Sequence, residues 1–217
     1  MEKIYFNSDT FIWKGKLNLS HCKDDLLKES YDVINNDINN TTGAYSYKLI
    51  WNDSLDFVGD VAVTNQLDSI LQIGINKCKD LAELDGIQYN KINTDSWINV
   101  ILSKNPLQIN FKHNEMSGID KYHTHTDINE MANAFYPHYT FVYYIQMPDV
   151  MDGEDGVLYF KSKDGIEYWV RPEEDDLIIM PADVPHSPNN APNSEIDRVV
   201  LAGNVGFDLI KTLKTII

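Results

Sequence analysis

Apolar residues recur every three or four positions in two stretches before residue 86. This spacing places them on one face of a helix. It predicts a helix over about 21–35, which Ser20 can cap, and a longer helix over 65–85, which Gly86 ends.

After residue 86 the apolar period shortens to two, and the runs become rich in β-branched and aromatic residues. Pro, Gly, Asn or Asp bounds each run, as expected for strands separated by turns. The predicted strands are 96–102, 107–112, 139–147, 156–162, 166–171, 176–181 and 198–205. Residues 3–17 are expected to form an edge strand or hairpin with its turn at Gly15, and 35–43 a loop.

Seven short strands with turn signals between them favour a sandwich, jelly roll or barrel. Two helices packed outside one sheet would complete an α+β, mainly β domain. We therefore expect a single domain over 1–217, with N-terminal helical support over about 1–95 and a β core over about 96–207.

The composition is that of a globular protein, with 43% apolar and 24% charged residues in a chain of 217. The net charge of −15 disfavours nucleic acid and anionic membranes as partners. No apolar run approaches the roughly 20 residues of a membrane span, and the N-terminus lacks a signal-peptide layout. Cys22 and Cys78 form no CxxC motif and are expected to be reduced thiols, so we predict a cytoplasmic protein.

Candidate metal ligands lie in two segments. His125 and Asp127 are two residues apart, so in an extended segment their side chains share a face. His186 follows the predicted strand 176–181 and can supply a third ligand if its strand pairs alongside. Two His and one carboxylate form the facial triad of non-haem Fe(II) oxygenases, which leaves positions on the metal open.

Arginine is scarce in this chain, which contains only Arg171 and Arg198. Arg198 begins a predicted strand shortly after His186. A metal-bound oxo acid needs a fixed cation for its distal carboxylate, and the guanidinium fork binds a carboxylate bidentately, which Lys cannot do. Arg198 is therefore the candidate for that role.

At this point the sequence resembles the Fe(II)/2-oxoglutarate-dependent dioxygenases, especially the prolyl-hydroxylase-like branch. The resemblance covers about residues 105–207. The matching segments are His125-Thr126-Asp127, residues 140–145, residues 156–160, Met180-Pro181 before His186, and residues 198–202.

The resemblance implies a double-stranded β-helix, also called a jelly roll, with Fe(II) bound by His125, Asp127 and His186. It implies that Arg198, assisted by Tyr144, holds the C5 carboxylate of the co-substrate 2-oxoglutarate. The activity implied is that of an oxidoreductase, a dioxygenase that uses O₂ and converts 2-oxoglutarate to succinate while hydroxylating a protein side chain or a small molecule.

Two other interpretations remain open. A cupin-type metal enzyme would use His123, His125, Glu130 and His186 as ligands, and would leave Arg198 without a role. A non-catalytic β-sandwich binding module would bind neither metal nor oxo acid. In the oxygenase interpretation, residues 128–139 border the mouth of the site and are a candidate lid.

Overall fold

A computed structural model describes residues 1–8, 10–35, 44–51, 65–101, 122, 124–126, 135–149, 152–189, 191 and 193–210. Its strands are β1 (Glu2–Tyr5), β2 (Phe11–Lys16), β3 (Ala44–Trp51), β4 (Tyr89–Ile101), β5 (Tyr139–Gln146), β6 (Leu158–Lys161), β7 (Glu167–Val170), β8 (Asp176–Pro181), β9 (His186–Pro188) and β10 (Arg198–Leu209). Its helices are a 3-10 turn (Ser20–Cys22), α1 (Lys23–Asn35) and α2 (Asn65–Leu84).

Within these ranges the strands form two antiparallel sheets. The main sheet has seven strands in the order β1-β2-β8-β5-β10-β4-β3, and the second has three in the order β7-β6-β9. Because β5 and β10 are central in the main sheet, their residues are covered on both faces, and both strands are almost continuously buried. The prediction of a mainly β fold is confirmed.

Strand alternation divides the main sheet into an outer and an inner face. On β5, Tyr139, Phe141 and Tyr143 belong to the outer core cluster, whereas Val142 and Tyr144 belong to the inner one. The inner cluster also contains Leu158 and Phe160 of β6, in the second sheet. The inner face of the main sheet therefore lines the space between the two sheets.

Both α-helices pack on the outer face. Their apolar stripes enter the outer core cluster through residues spaced as a helix requires. These residues are Leu26 of α1 and Leu67, Ile70, Leu71, Ile75, Cys78 and Ala82 of α2. None of the described helices combines the length and apolar character that a membrane span needs.

The helix predictions are close to the structure, since α2 covers 65–84 and α1 follows a 3-10 turn that begins at Ser20. The predicted turn at Gly15 is wrong, because Gly15 lies inside β2 and pairs with Leu177. The chain turns between Phe6 and Thr10 instead, where the Phe6 amide donates to the Thr10 carbonyl at 2.9 Å.

Strand β3 was not predicted from the sequence; it pairs with β4 at the edge of the main sheet. Of the other predicted elements, the strand 107–112 and all of the loop 35–43 beyond Asn35 lie outside the described residues.

The Phe141 ring occupies a slot between helix α2 and strand β10 that exists because both walls are glycine. A Cβ added at Gly74 would lie 2.6 Å from this ring, and one added at Gly203 would lie 2.7 Å from it. Phe141 is 1% exposed, so its ring has no space into which to move.

We predict that Gly203→Ala lowers the free energy of unfolding by about 1–3 kcal/mol, because the new methyl group overpacks a filled core. Urea denaturation measures this change. Phe141→Leu should open the slot, so the double variant should be more stable than the sum of the two single effects. Strict additivity would contradict the steric explanation.

Candidate active site

The candidate site lies on the inner face of the main sheet, where β4, β10 and β5 run side by side. Ala202 of β10 pairs with Trp97 on one side and with Val142 on the other. Arg198 lies four residues earlier on β10, on the same face, at a distance of about 13 Å along the strand. Arg198 and Trp97 therefore lie on the same inner face but are separated along the direction of the strands.

The structure brings His125 and His186 together. Their Nε2 atoms are 3.2 Å apart, and the two rings are nearly parallel, with centroids 5.0 Å apart. Both residues are buried, at 6% and 4% exposed. The two His residues that the sequence identifies therefore share one site, although they are 61 positions apart.

His186 is held by the second sheet and by a turn. It begins β9 and pairs with Phe160 of β6. Its Nδ1 lies 3.0 Å from the carbonyl oxygen of Val184. Because a carbonyl oxygen only accepts, Nδ1 carries the proton, and Nε2 keeps a lone pair facing His125.

His125 is held by the backbone and by an aromatic ring. Its amide donates to the carbonyl oxygen of Ala182 at 3.0 Å, and the Ala182 amide donates in turn to the carbonyl oxygen of His138 at 3.0 Å. The His125 ring stacks on Trp97, with centroids 5.3 Å apart. Ala182 thus connects the segment of His125 to the turn that precedes His186.

The contact between Trp97 and His125 is one that the sequence did not suggest. Trp97 stands in a strand of alternating apolar residues, where an aromatic side chain is normally part of the core. Trp97 can be assigned to the candidate site only when the register of β4 and β10 is known, because that register places it opposite Ala202.

The His pair has the spacing of two neighbouring metal ligands. Imidazole nitrogens bind metals at about 2.1 Å, so two at right angles lie about 3 Å apart. Among the described residues no cluster of three His, Cys, Asp or Glu is present. Asp127, the predicted third ligand, lies outside the described residues, as do His123 and Glu130 of the cupin interpretation.

Arg198 and Tyr144 are buried beside each other on the inner face of the main sheet. Arg198 is 5% exposed, and its Cζ lies 5.4 Å from the centre of the Tyr144 ring. The Nε and Nη1 atoms of Arg198 and the Tyr144 hydroxyl are buried, and none of them has a hydrogen-bond partner within the part of the chain that the structure describes. Burial raises the pKa of Tyr144, an effect that the positive charge of Arg198 partly offsets.

An anion fits these groups. A buried guanidinium without hydrogen-bond partners is costly, whereas a carboxylate satisfies two of its N–H groups at once. Arg171, the other arginine, instead donates to the carbonyl oxygen of Gly153 at the surface.

The candidate lid is only partly described, since residues 128–134 lie outside the described ranges. Phe135 and Tyr136 cover Gly206 of β10 so closely that a Cβ there would lie 2.4 Å from the Phe135 ring. The lid stays a prediction.

Neither the protein-family models nor the curated protein sequences give a match to this chain. Solved structures do. A prolyl-4-hydroxylase from Pseudomonas putida matches with a TM-score of 0.55 at 12% identity, over 90% of this chain and 92% of its own.

Two further solved structures also match this chain. A 2OG-Fe(II) oxygenase family oxidoreductase from Burkholderia pseudomallei gives a TM-score of 0.57 at 10% identity, over 90% of this chain and 84% of its own. A Trichoplax adhaerens prolyl hydroxylase, in complex with a hypoxia inducible factor peptide fragment, gives 0.53 at 13% identity, over 90% of this chain and 83% of its own.

This chain has the fold of the prolyl hydroxylases and 2OG-Fe(II) oxygenases. The resemblance predicted from the sequence is thus confirmed at the level of the fold. At these identities the likeness concerns the fold alone, so the roles of individual residues rest on the geometry described above.

We predict that His186 in the metal-free protein is the neutral tautomer with its proton on Nδ1, because the Val184 carbonyl oxygen accepts a hydrogen bond there. Long-range proton–nitrogen correlation spectra at pH 8 report the protonated nitrogen directly. A proton on Nε2 would contradict this arrangement. The exposed His21 serves as the reference for a ring without a fixed tautomer.

Proposed function

We propose that this protein is an Fe(II)- and 2-oxoglutarate-dependent oxygenase with the double-stranded β-helix topology of a jelly roll. One observation carries the proposal. A buried pair of His nitrogens and the buried Arg198 guanidinium lie between the two sheets, and the Nε and Nη1 atoms of Arg198 have no hydrogen-bond partner among the described residues. A site that binds only a metal would need the His nitrogens but not the guanidinium. A site that binds a metal together with a dicarboxylic oxo acid needs both groups.

His125 and His186 would hold the iron through Nε2. Asp127 is the proposed third ligand because the His-Thr-Asp segment resembles the metal-binding motif of the oxygenases. Bound there, Fe(II) would activate O₂ with electrons from 2-oxoglutarate, which loses CO₂ to give succinate, so that the substrate is hydroxylated. The chain itself supplies fixed ligands and a water-poor site, since the rings of His125 and His186 are almost fully buried.

Arg198 and Tyr144 would hold the far carboxylate of 2-oxoglutarate. The guanidinium supplies the charge and two parallel N–H donors, and the Tyr144 hydroxyl supplies a third donor. Because burial raises the pKa of Tyr144, its hydroxyl keeps its proton and remains a donor. Val200 and Ala202 follow Arg198 on the inner face of β10, and Ala202 pairs with Trp97, so an apolar surface separates the carboxylate from the His pair.

The prime substrate is proposed to be a protein side chain or a small molecule that is hydroxylated next to the His pair. The Trichoplax adhaerens structure, which contains a peptide, supports a peptide as one possibility.

The cupin-type alternative shares His125 and His186 with this proposal. It leaves Arg198 and Tyr144 buried without a function, and we therefore favour the oxygenase.

We predict that Fe(II) and 2-oxoglutarate, added together without oxygen, give a saturable visible charge-transfer band. His186→Ala should abolish this band, because one of the two described ligands is lost, whereas His21→Ala should retain it. Tightly bound metal without the band would favour a cupin-type enzyme. Absence of metal binding would favour a non-catalytic sandwich module.

We predict that Arg198→Lys weakens 2-oxoglutarate binding by about 10- to 100-fold while iron binding is retained, because an ammonium cannot replace the bidentate contact. Titration of the band against 2-oxoglutarate gives the affinity. Arg171→Lys is the matched control, since Arg171 lies at the surface. An unchanged affinity in Arg198→Lys would exclude Arg198 from this role.

A further inference from the structure

Arg198 stands at the very end of its strand in the main sheet. It is the first residue of β10, and it pairs with Ile101, the last residue of β4. On the other side of β10, the register with β5 shifts by one residue between Val199 and Val200. Such a bulge interrupts the hydrogen bonds of the ladder and bends the strand. Among the described residues the pairing with β5 ends at Val199, so β5 does not fix Arg198 through the ladder.

The residue before Arg198 is held by two side chains instead. The Tyr31 hydroxyl donates to Oδ2 of Asp197 at 2.7 Å, and the Gln146 side-chain amide donates to the carbonyl oxygen of Asp197 at 3.0 Å. Tyr31 belongs to helix α1, and Gln146 is the last residue of β5. These bonds attach Asp197 to two different elements. We call Tyr31 and Gln146 the Asp197 clamp.

The bond from Tyr31 reaches Asp197 from the side of the sheet on which the helices pack. Tyr31 packs against the outer core cluster. The guanidinium of Arg198 lies on the inner face, over the ring of Tyr144. Consecutive residues of an extended chain point to opposite faces. The Tyr31 bond to Asp197 can therefore fix the backbone at Arg198 without entering the space between the sheets.

The hydroxyl of Tyr31 is a lasting donor in this arrangement. Burial raises its pKa, and the Asp197 carboxylate raises it further. The hydroxyl therefore keeps its proton at neutral pH. Because its acceptor is a carboxylate, the hydrogen bond is charge-assisted and stronger than a neutral one.

The position of a guanidinium matters more than that of a simple point charge. Bidentate binding requires two parallel N–H groups to meet the two oxygens of one carboxylate. The groups of a binding site must be held within about 0.5 Å of the productive position by the residues around them. A residue at the end of a strand needs such support, because strand ends open more readily than the interior of a sheet.

We propose that Tyr31 and Gln146 are positioning residues for Arg198. By clamping Asp197, they hold the guanidinium at the place where it meets the far carboxylate of the oxo acid. Both act through the backbone at Asp197 and need no contact with the co-substrate. This inference rests on the proposed function, since it assigns what positions the carboxylate partner of that same site.

The test compares two oxo acids that differ only at C5. 2-Oxoglutarate has a carboxylate there, and 2-oxopentanoate has a methyl group. Each is titrated into the whole Fe(II)-loaded chain without oxygen, and the charge-transfer band gives the affinity. The contacts to the metal are common to both acids. The ratio of the two affinities therefore measures the contact of the far carboxylate.

Tyr31→Phe should lower this ratio about fivefold or more, because a charge-assisted hydrogen bond to Asp197 is lost. Tyr139→Phe is the matched control, since the Tyr139 hydroxyl also donates to a carboxylate, that of Asp85, at 2.7 Å. Tyr139 lies at the opposite end of β5 from Gln146. The control should keep the ratio within about twofold of the natural protein, because sites so far apart act independently.

Gln146→Met removes the other half of the clamp. Met has a similar length but no N–H group, so the Asp197 carbonyl oxygen loses this donor. The ratio should fall in this variant as well, while Fe(II) binding is retained. If Tyr31→Phe does not fold, Gln146→Met decides alone.

The outcomes are separable. Absence of the band with both oxo acids in the natural protein would overturn the proposed function itself. With a normal band, an unchanged ratio in a folded clamp variant would overturn the role of that residue. Equal weakening of both oxo acids would indicate a merely structural role and would also overturn the inference. The same fall in Tyr139→Phe would attribute the effect to lost stability, with the same consequence.

Discussion

The alternation of side chains along two central strands is the constraint on which this structure depends. Strands β5 and β10 are covered on both faces, so every second residue must enter one of two separate environments. One environment is the apolar core beneath the helices. The other is the space between the sheets, and there the same strands present Arg198, Tyr144, Thr140 and Asn204. A shift of one residue in either register would exchange the two sets of side chains.

The two faces therefore have different energetic roles. The outer face buries large apolar side chains from α1, α2 and the sheet, and it supplies most of the stability. The inner face contains buried groups that stabilise the fold little by themselves, such as the Arg198 guanidinium, whose Nε and Nη1 atoms have no hydrogen-bond partner among the described residues. Such groups are retained when they serve a ligand, and a well-packed core on the opposite face makes their presence tolerable.

Much of this arrangement could be predicted from the sequence, because it follows from local patterns. Period-two alternation located β5 and β8, and the helical stripe located α2 within one residue. Arg198 and His186 were identifiable because their residue types have few other uses at such positions. Gly15 was misread as a turn because glycine also occurs inside strands, here in β2 between β1 and β8.

The sequence could not predict the register of the sheet, that is, which residues of neighbouring strands pair with each other. The stacking of Trp97 on His125 depends on pairings between residues that are far apart in the chain. The same is true of Asp95 and Asn204, which are partners only because β4 and β10 align as they do. No local pattern contains this information, since either face of β4 would satisfy the same alternation.

The main-chain N–H and C=O of Ala182 link three segments around the His pair, and no side chain takes part in these two hydrogen bonds. Substitutions leave a main-chain hydrogen bond in place as long as the backbone keeps its path. This part of the scaffold is thus set by main-chain atoms, which any residue except proline supplies, provided that its side chain fits the buried position of Ala182.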